Sequence, residues 1–170
     1  MTRRLLIGVA PLALAGVLAG TAMGGRGDGW TPAVAVPFDT QCGATTVHVT
    51  FPVNNEFQQV TTNPDGTLVI KVTGSAKVGL ATDGGNSLTV NASGPTSKEM
   101  FDPTSGNLDF IAQGQNVLFL TADQAAATGL PEIFSSTGPV DVLFRSDGTV
   151  QINQLNLNTV TNLCAPLLTG

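Results

Sequence analysis

The sequence predicts an all-β fold: an antiparallel β-sandwich of about eight or nine strands, with an up-and-down β-barrel as the alternative. Apolar and polar residues alternate in short runs, which is the period-two pattern of a strand with one buried face. Turn-forming residues separate these runs at short intervals, as in sandwiches and barrels. The two patterns together favour antiparallel strands over a helical or α/β fold.

The alternating runs begin at about residue 44, where TTVHVTFP places Val47, Val49 and Phe51 on one face. The alternation continues in GTLVIKVTG, SLTVNASG, LDFIA, NVLFLT, VDVLFR and TVQIN. In VQINQLNLNT the phase changes, because Ile152 and Leu155 have opposite parity. We therefore predict a β-bulge near Asn153-Gln154.

Turn residues and one helix signal lie between the runs. The predicted turns are Pro64-Asp65-Gly66, Asp83-Gly84-Gly85, 102–106 (DPTSG) and Ser146-Asp147-Gly148. Thr121 and Gln124 match a capping box, and Gly129 and Pro131 provide a stop signal. These residues predict a short surface helix, with an extended loop as the alternative.

The N-terminal residues resemble a signal peptide, here assigned to residues 1–22. Arg3 and Arg4 precede an uncharged apolar run, and Gly20-Thr21-Ala22 supplies the small residues of a cleavage site. An uncleaved membrane anchor is the alternative. Residues 23–40 are rich in Gly and Pro without periodicity, which is typical of a linker. Residues 41–170 then form a single β domain.

Cys42 and Cys164 are the only cysteines of the chain. In an exported protein two cysteines predict a disulfide, and only one intramolecular pairing exists. The bond would close a loop of 122 residues between the first and last strands. Two cysteines and the single distant His48 do not provide a four-ligand zinc set, so we predict no metal site.

Charge and motifs exclude several functions. Without Arg3 and Arg4 the chain has five basic and twelve acidic residues, a net charge of −7. This charge argues against binding to nucleic acid or to anionic membrane surfaces. The sequence has no calcium-binding loop and no phosphate-binding loop, so we expect no cofactor.

Candidate catalytic residues are few, and we assign none. His48 lies on the polar face of its strand, where we expect it to be solvated or to contact a residue of a neighbouring strand. No Gly-x-Ser-x-Gly motif accompanies it. Most aspartates lie in predicted turns. The remaining acid/base candidates are two strand aspartates and two glutamates near strand ends: Asp109, Asp141, Glu99 and Glu132. Ligand-binding residues cannot be assigned from this pattern.

Two segments, LTVNASGP at 88–95 and NLCAPLLTG at 162–170, carry a resemblance. They resemble those of a loose group of small exported β proteins from high-GC Gram-positive bacteria. In that group a strand ends in Ser-Gly-Pro, and the chain finishes with a short apolar tail that contains a cysteine. The resemblance covers about residues 40–168. It implies a secreted β-sandwich with a terminal disulfide, and it assigns no activity or functional residues to this chain.

We therefore expect a secreted or extracytoplasmic, envelope-associated module that is non-catalytic and binds an unidentified protein or envelope partner. No membrane span would remain after signal cleavage. One alternative is a secreted hydrolase, which needs two of the four candidate carboxylates within about 10 Å in one cavity. The other is a carrier of lipophilic ligands, which needs a barrel with an open apolar interior.

Overall fold

The computed structural model describes residues 29–169, most of which form antiparallel β-strands. The predicted signal peptide and the first residues of the predicted linker lie outside this range. Within residues 29–169, no helix is long and apolar enough to cross a membrane.

Twelve strands join into one sheet among the described residues. They are β1 (Thr31–Pro32), β2 (Phe38–Cys42), β3 (Thr45–Asn54), β4 (Phe57–Thr62), β5 (Leu68–Thr82), β6 (Ser87–Asp102), β7 (Asn107–Ala112), β8 (Gln115–Phe119), β9 (Ile133–Thr137), β10 (Val140–Phe144), β11 (Val150–Leu155) and β12 (Thr161–Asn162). The helices are α1 (Ala122–Thr128) and α2 (Cys164–Leu168), and a 3₁₀ turn spans Leu157–Thr159.

The antiparallel all-β prediction is confirmed, and every strand pair is antiparallel. The sheet is open, so the barrel alternative is wrong. The twelve strands outnumber the eight or nine expected. Five of them lie outside the alternating runs, and two of these, β1 and β12, are two-residue pairings; the five are β1, β2, β4, β9 and β12. The segment predicted as a linker contributes β1 and the start of β2.

The long strands β5 and β6 divide the sheet into two halves. Residues 68–73 of β5 pair with β4, and residues 74–82 pair mainly with β3. Residues 97–102 of β6 pair with β7, which continues through β10 to the edge strand β11. The first half thus contains β1, β4, β7, β10 and β11, and the second contains β2 and β3.

Glycines bend the two long strands where the halves meet. The β5–β6 register shifts between Val72 and Gly74. A Cβ atom at Gly74 would overlap the carbonyl oxygen of Asn55, and one at Gly94 would overlap that of Gln113. A strand glycine at such a site permits close approach of a second backbone. The bend therefore requires residues without side chains at both positions.

The hairpin of β8 and β9 is buried on both faces and separates two apolar cores. Val117 and Ile133 belong to the first core, which β2, β3, α2 and residues 74–94 complete. Leu118 and Phe134 belong to the second core, with β10, β11 and α1. Burial on both faces explains why the run NVLFL is almost continuously apolar.

Two local predictions are confirmed. Thr121 and Gln124 form the reciprocal capping box of α1, and Gly129 ends the helix in the left-handed conformation. On β10, Asp141 pairs with Gln154 while Val142 pairs with Ile152. Asn153 is therefore the extra residue of a bulge in β11, at the predicted place.

The predicted disulfide is confirmed. Cys42 ends β2 and Cys164 begins α2, with their Cα atoms 5.4 Å apart. Both cysteines lie in the first core beside Leu163 and Leu167. The bond therefore joins a strand to the C-terminal helix, whereas we expected it to join the first strand to the last.

Replacing both cysteines, Cys42→Ala with Cys164→Ala, should lower the free energy of unfolding by about 2–5 kcal/mol, because the unfolded chain regains the entropy of an open loop. Guanidinium chloride unfolding measures the change. Reductant should destabilise the wild type by a similar amount and leave the double variant unaffected. Equal stability of variant and oxidised wild type would contradict this role.

The variant Gly94→Ala should lower the free energy of unfolding by about 1–3 kcal/mol or more, because its methyl group meets the Gln113 carbonyl. Gly84→Ala is the matched control, since the nearest atom to its Cβ is Thr82 Oγ1 at 3.7 Å. Thermal unfolding compares the two variants. Equal melting temperatures would show that the bend does not require a glycine.

Candidate functional site

A cleft of about 90 Å³ opens at the bend between the two halves of the sheet. Residues on both sides of the bend in β5 and β6 line it, together with β7, β8 and the chain segment 33–35. The walls are largely apolar and include Phe51, Val72, Val78, Phe110 and Val117. The polar lining includes two carboxyl and two buried amide side chains, those of Glu56, Glu99, Gln58 and Asn116.

Glu99 is the most deeply buried acid of the described residues, at 5% exposure. It pairs across the strands with Ile70 on β5 and Phe110 on β7, so it occupies an inward position of the strand pattern. Its Oε2 atom is buried and has no hydrogen-bond partner. Loss of hydration and, to a smaller extent, the nearby charge of Glu56 together raise the pKa of Glu99 to about 7.

Glu56 lies in the turn between β3 and β4 and is partly buried. Its backbone N–H donates to Asn54 Oδ1 at 3.1 Å, and its carbonyl oxygen accepts from the Ala33 N–H at 2.9 Å. Asn54 Nδ2 also donates to the Ala33 carbonyl at 2.8 Å. This network holds the segment 33–35 at the cleft. Burial raises the pKa of Glu56 above its ordinary value.

Two amide side chains of the polar lining are buried. Gln58 and Asn116 are 7% and 8% exposed. Asn116 Nδ2 donates to the carbonyl oxygens of Gly114 and Gly138, at 3.2 and 3.4 Å. Its side chain is thereby fixed at the start of β8. The cleft thus contains two acids and two buried amides, together with more exposed polar side chains, within largely apolar walls.

Asp109 and Asp141 form a separate pair on the opposite face of the first half. Asp109 is adjacent to Phe110, which pairs with Glu99, so successive residues place Asp109 on the other face. Burial raises the pKa of Asp109, and the neighbouring charge of Asp141 adds to this. Asp141 Oδ1 accepts from Asn153 Nδ2 at 2.9 Å. This pair does not line the cleft.

Glu132 has a structural contact. Its carboxylate accepts a hydrogen bond from the backbone N–H of Gly43, in the turn that follows Cys42. This contact connects the start of β9 to the β2–β3 turn beside the disulfide. Of the four candidate acids, only Glu99 therefore lines the cleft.

His48 takes the cross-strand role that we expected. Its Nδ1 lies 2.7 Å from Asp39 Oδ1 on β2, and its Nε2 lies 2.9 Å from Asp83 Oδ1. Hydrogen bonds to Asp83 and then Asp39 raise the pKa of His48 above 6.5. The side chain is 43% exposed and lies outside the cleft.

No protein family, curated protein or solved structure matches the chain. Within residues 29–169, no group of three or more His, Cys, Asp or Glu side chains is arranged to hold a metal ion. The site is therefore interpreted from its own geometry.

The sequence pattern indicates Glu99 as a candidate acid but gives no indication of Glu56, Gln58 or Asn116 as site residues. The run SKEMFD places Glu99 at the parity of Phe101, and this could have identified it as inward-facing. Glu56 lies in a turn, and no local sequence pattern indicates which strands a turn residue will contact in the folded protein.

The stability of the wild type should fall as pH rises from about 4.5 to above 7. The raised pKa of Glu99 means that the folded state holds its proton where the unfolded state has released it. The difference from 4.5 corresponds to about 3 kcal/mol. In Glu99→Gln the contribution of Glu99 to this loss should be absent, and only the contribution of other groups such as His48 should remain. Urea unfolding between about pH 5 and 8 measures it, with Asp123→Asn as an exposed control; parallel curves for wild type and Glu99→Gln would contradict the assignment.

Asp83→Asn should lower the pKa of His48 toward 6.5, and by more than Asp39→Asn does, because the Asp83 hydrogen bond is the larger cause of the shift. His48 is the only histidine, so its imidazole NMR signal is unambiguous in a pH titration. Its contribution to stability is present below pH 6.5 and is lost as pH rises through the raised pKa. An unchanged titration in Asp83→Asn would contradict the contact.

Proposed function

We propose that the chain is an exported, non-catalytic β-sandwich module of the cell envelope or extracellular space, and that it binds its partner through the cleft. One observation carries the proposal: the cleft combines a buried, unpartnered carboxyl oxygen with buried amide side chains and apolar walls. Ligand sites have this composition, with a few polar groups that orient a ligand within an apolar surface.

Two features support export. The Cys42–Cys164 disulfide is of a kind that persists in oxidising compartments outside the cytoplasm. Arg3 and Arg4, the apolar run and Gly20-Thr21-Ala22 have the order of a cleavable signal.

The arrangement of the carboxylates supports binding over catalysis. A hydrolase of the expected kind needs two of the four candidate acids in one cavity. Glu99 lies in the cleft, Asp109 and Asp141 lie on the opposite sheet face, and Glu132 contacts the Gly43 N–H. This dispersal favours a module without a catalytic pair.

A secreted hydrolase is the second candidate, because Glu56 and Glu99 both line the cleft and influence each other. Carboxyl groups with different environments can serve as acid and base. Release of nitrophenol from nitrophenyl glycosides and esters tests this candidate. Activity in the wild type that is lost in Glu99→Gln would favour the hydrolase over the module.

A carrier of lipophilic molecules is not favoured. The cleft volume of about 90 Å³ is well below the roughly 300–1,000 Å³ of pockets that enclose drug-sized ligands. The cleft therefore suits recognition of one small group on a partner.

Export is tested by the intact mass of the native protein in medium and envelope fractions, with alkylation before and after reduction. We expect a mass that corresponds to cleavage after Ala22, and alkylation only after reduction. A retained signal, or alkylation without reduction, would overturn the exported, disulfide-bonded form.

Binding through the cleft is tested by cosedimentation of purified protein with isolated envelopes. Glu99→Gln should reduce the bound fraction, because it removes the buried carboxylate that lines the cleft. Asp123→Asn, which changes an exposed carboxylate on α1, should bind like the wild type. Equal binding of all three proteins would overturn the role of the cleft.

A further inference from the structure

We propose that the cleft binds an alkylammonium group, with its NH₃⁺ between the carboxylates of Glu99 and Glu56 and its alkyl stem along the apolar walls. The inference rests on the proposed function, because it names the ligand class of the same cleft.

The charge of the lining favours a cation. Glu99 Oε2 is buried, accepts no hydrogen bond and belongs to a side chain that is only 5% exposed. Glu56 supplies a second carboxylate, and no Lys, Arg or His is among the lining residues. The negative charges of this cleft therefore have no cationic side chain beside them.

An ammonium group would supply the hydrogen-bond donor and the positive charge that Glu99 lacks. A buried carboxylate without a hydrogen bond or counter-charge is costly, and the cost falls when a charged donor is present. An ammonium carries three N–H donors, and its hydrogen bonds to carboxylates are among the strongest in proteins. One such group could contact Glu99 Oε2 and Glu56 together and reduce the repulsion between the two acids.

The walls favour an organic cation over a metal ion. Phe51, Val72, Val78 and Val117 offer apolar surface of the kind against which the stem of a lysine packs. Calcium sites gather several carboxylates, whereas only two carboxylates line this cleft, and no group of three or more His, Cys, Asp or Glu side chains within residues 29–169 is arranged to hold a metal ion. The volume of about 90 Å³ is suited to an ammonium with a short stem.

The geometry makes binding depend on pH. Of the described residues that line the cleft, only Glu56 and Glu99 are titratable. With the pKa of Glu99 at about 7, its carboxylate is the minor form at pH 6 and the major form at pH 8. Since only the carboxylate binds the cation well, apparent affinity should be about tenfold lower at pH 6 than at pH 8.

The test is a titration of the disulfide-bonded protein with n-butylammonium chloride, followed by two-dimensional amide NMR. The neutral comparison is n-butanol, which has the same stem without the charge. We expect saturable shifts at residues of the β5–β6 bend, with weaker binding at pH 6 than at pH 8. Glu99→Gln should weaken binding at least tenfold and remove the pH dependence, while its other resonances remain those of the folded wild type.

Glu56→Gln provides a second variant and should weaken binding by a smaller factor, because it removes the less buried acid. Four outcomes would overturn the inference. They are the absence of saturable shifts, equal binding of n-butanol, displacement of n-butylammonium by equimolar calcium chloride, and unchanged affinity in both variants.

A parallel titration with Nα-acetyl-lysine methylamide distinguishes two sources of the same chemistry. Tighter binding than n-butylammonium would indicate a lysine side chain of a peptide, and weaker binding would indicate a free amine. Both results support an alkylammonium site.

Failure of this inference differs from failure of the proposed function. If envelope binding depends on Glu99 but n-butylammonium does not bind, the ligand class is wrong and the module stands. If n-butylammonium binds but the protein is not exported, the proposed function is wrong and the site stands.

Discussion

The close approach of backbones at Gly74 and Gly94 is the constraint on which this structure depends. At these positions β5 and β6 pass from one half of the sheet to the other, each against a neighbouring carbonyl group. A side chain at either glycine would push the neighbouring segment away. The bend directs the second half toward one face of the β8–β9 hairpin and the first half toward the other, and so creates two cores. The disulfide then fixes the C-terminal helix to the first core.

The cleft is a consequence of the same bend. The glycines at the bend have no side chains to fill the space beside them. The residues that line this space are those that the strand alternation directs inward. On β6 that residue is Glu99, between Ile70 and Phe110. Apolar neighbours remove water from its carboxyl group and raise its pKa to about 7. A position that would stabilise the fold better with an apolar residue thus carries an acid, which is typical of a binding site.

The sequence predicts features that depend on local pattern. Alternation gives most strands, the capping residues Thr121 and Gln124 give α1, and the phase change before Leu155 gives the bulge. The alternating runs do not include β2, β4 and β9, nor the edge pairings β1 and β12. A strand of two residues, such as β1 or β12, forms only where tertiary contacts place a partner beside it. The cleft escapes prediction for the same reason. Glu56 and Glu99 are distant in sequence, and the glycine contacts that bring them together leave no local pattern.

The central claim is that the bend buries the carboxyl group of Glu99 in an apolar cleft without a hydrogen-bond partner for Oε2. Its most direct test is a carbon NMR titration of the glutamate carboxyl groups, with the Glu99 signal assigned by its loss in Glu99→Gln. The account predicts a midpoint near pH 7 for Glu99. A midpoint near 4.5, the ordinary value, would show a hydrated or partnered carboxylate and would contradict the claim.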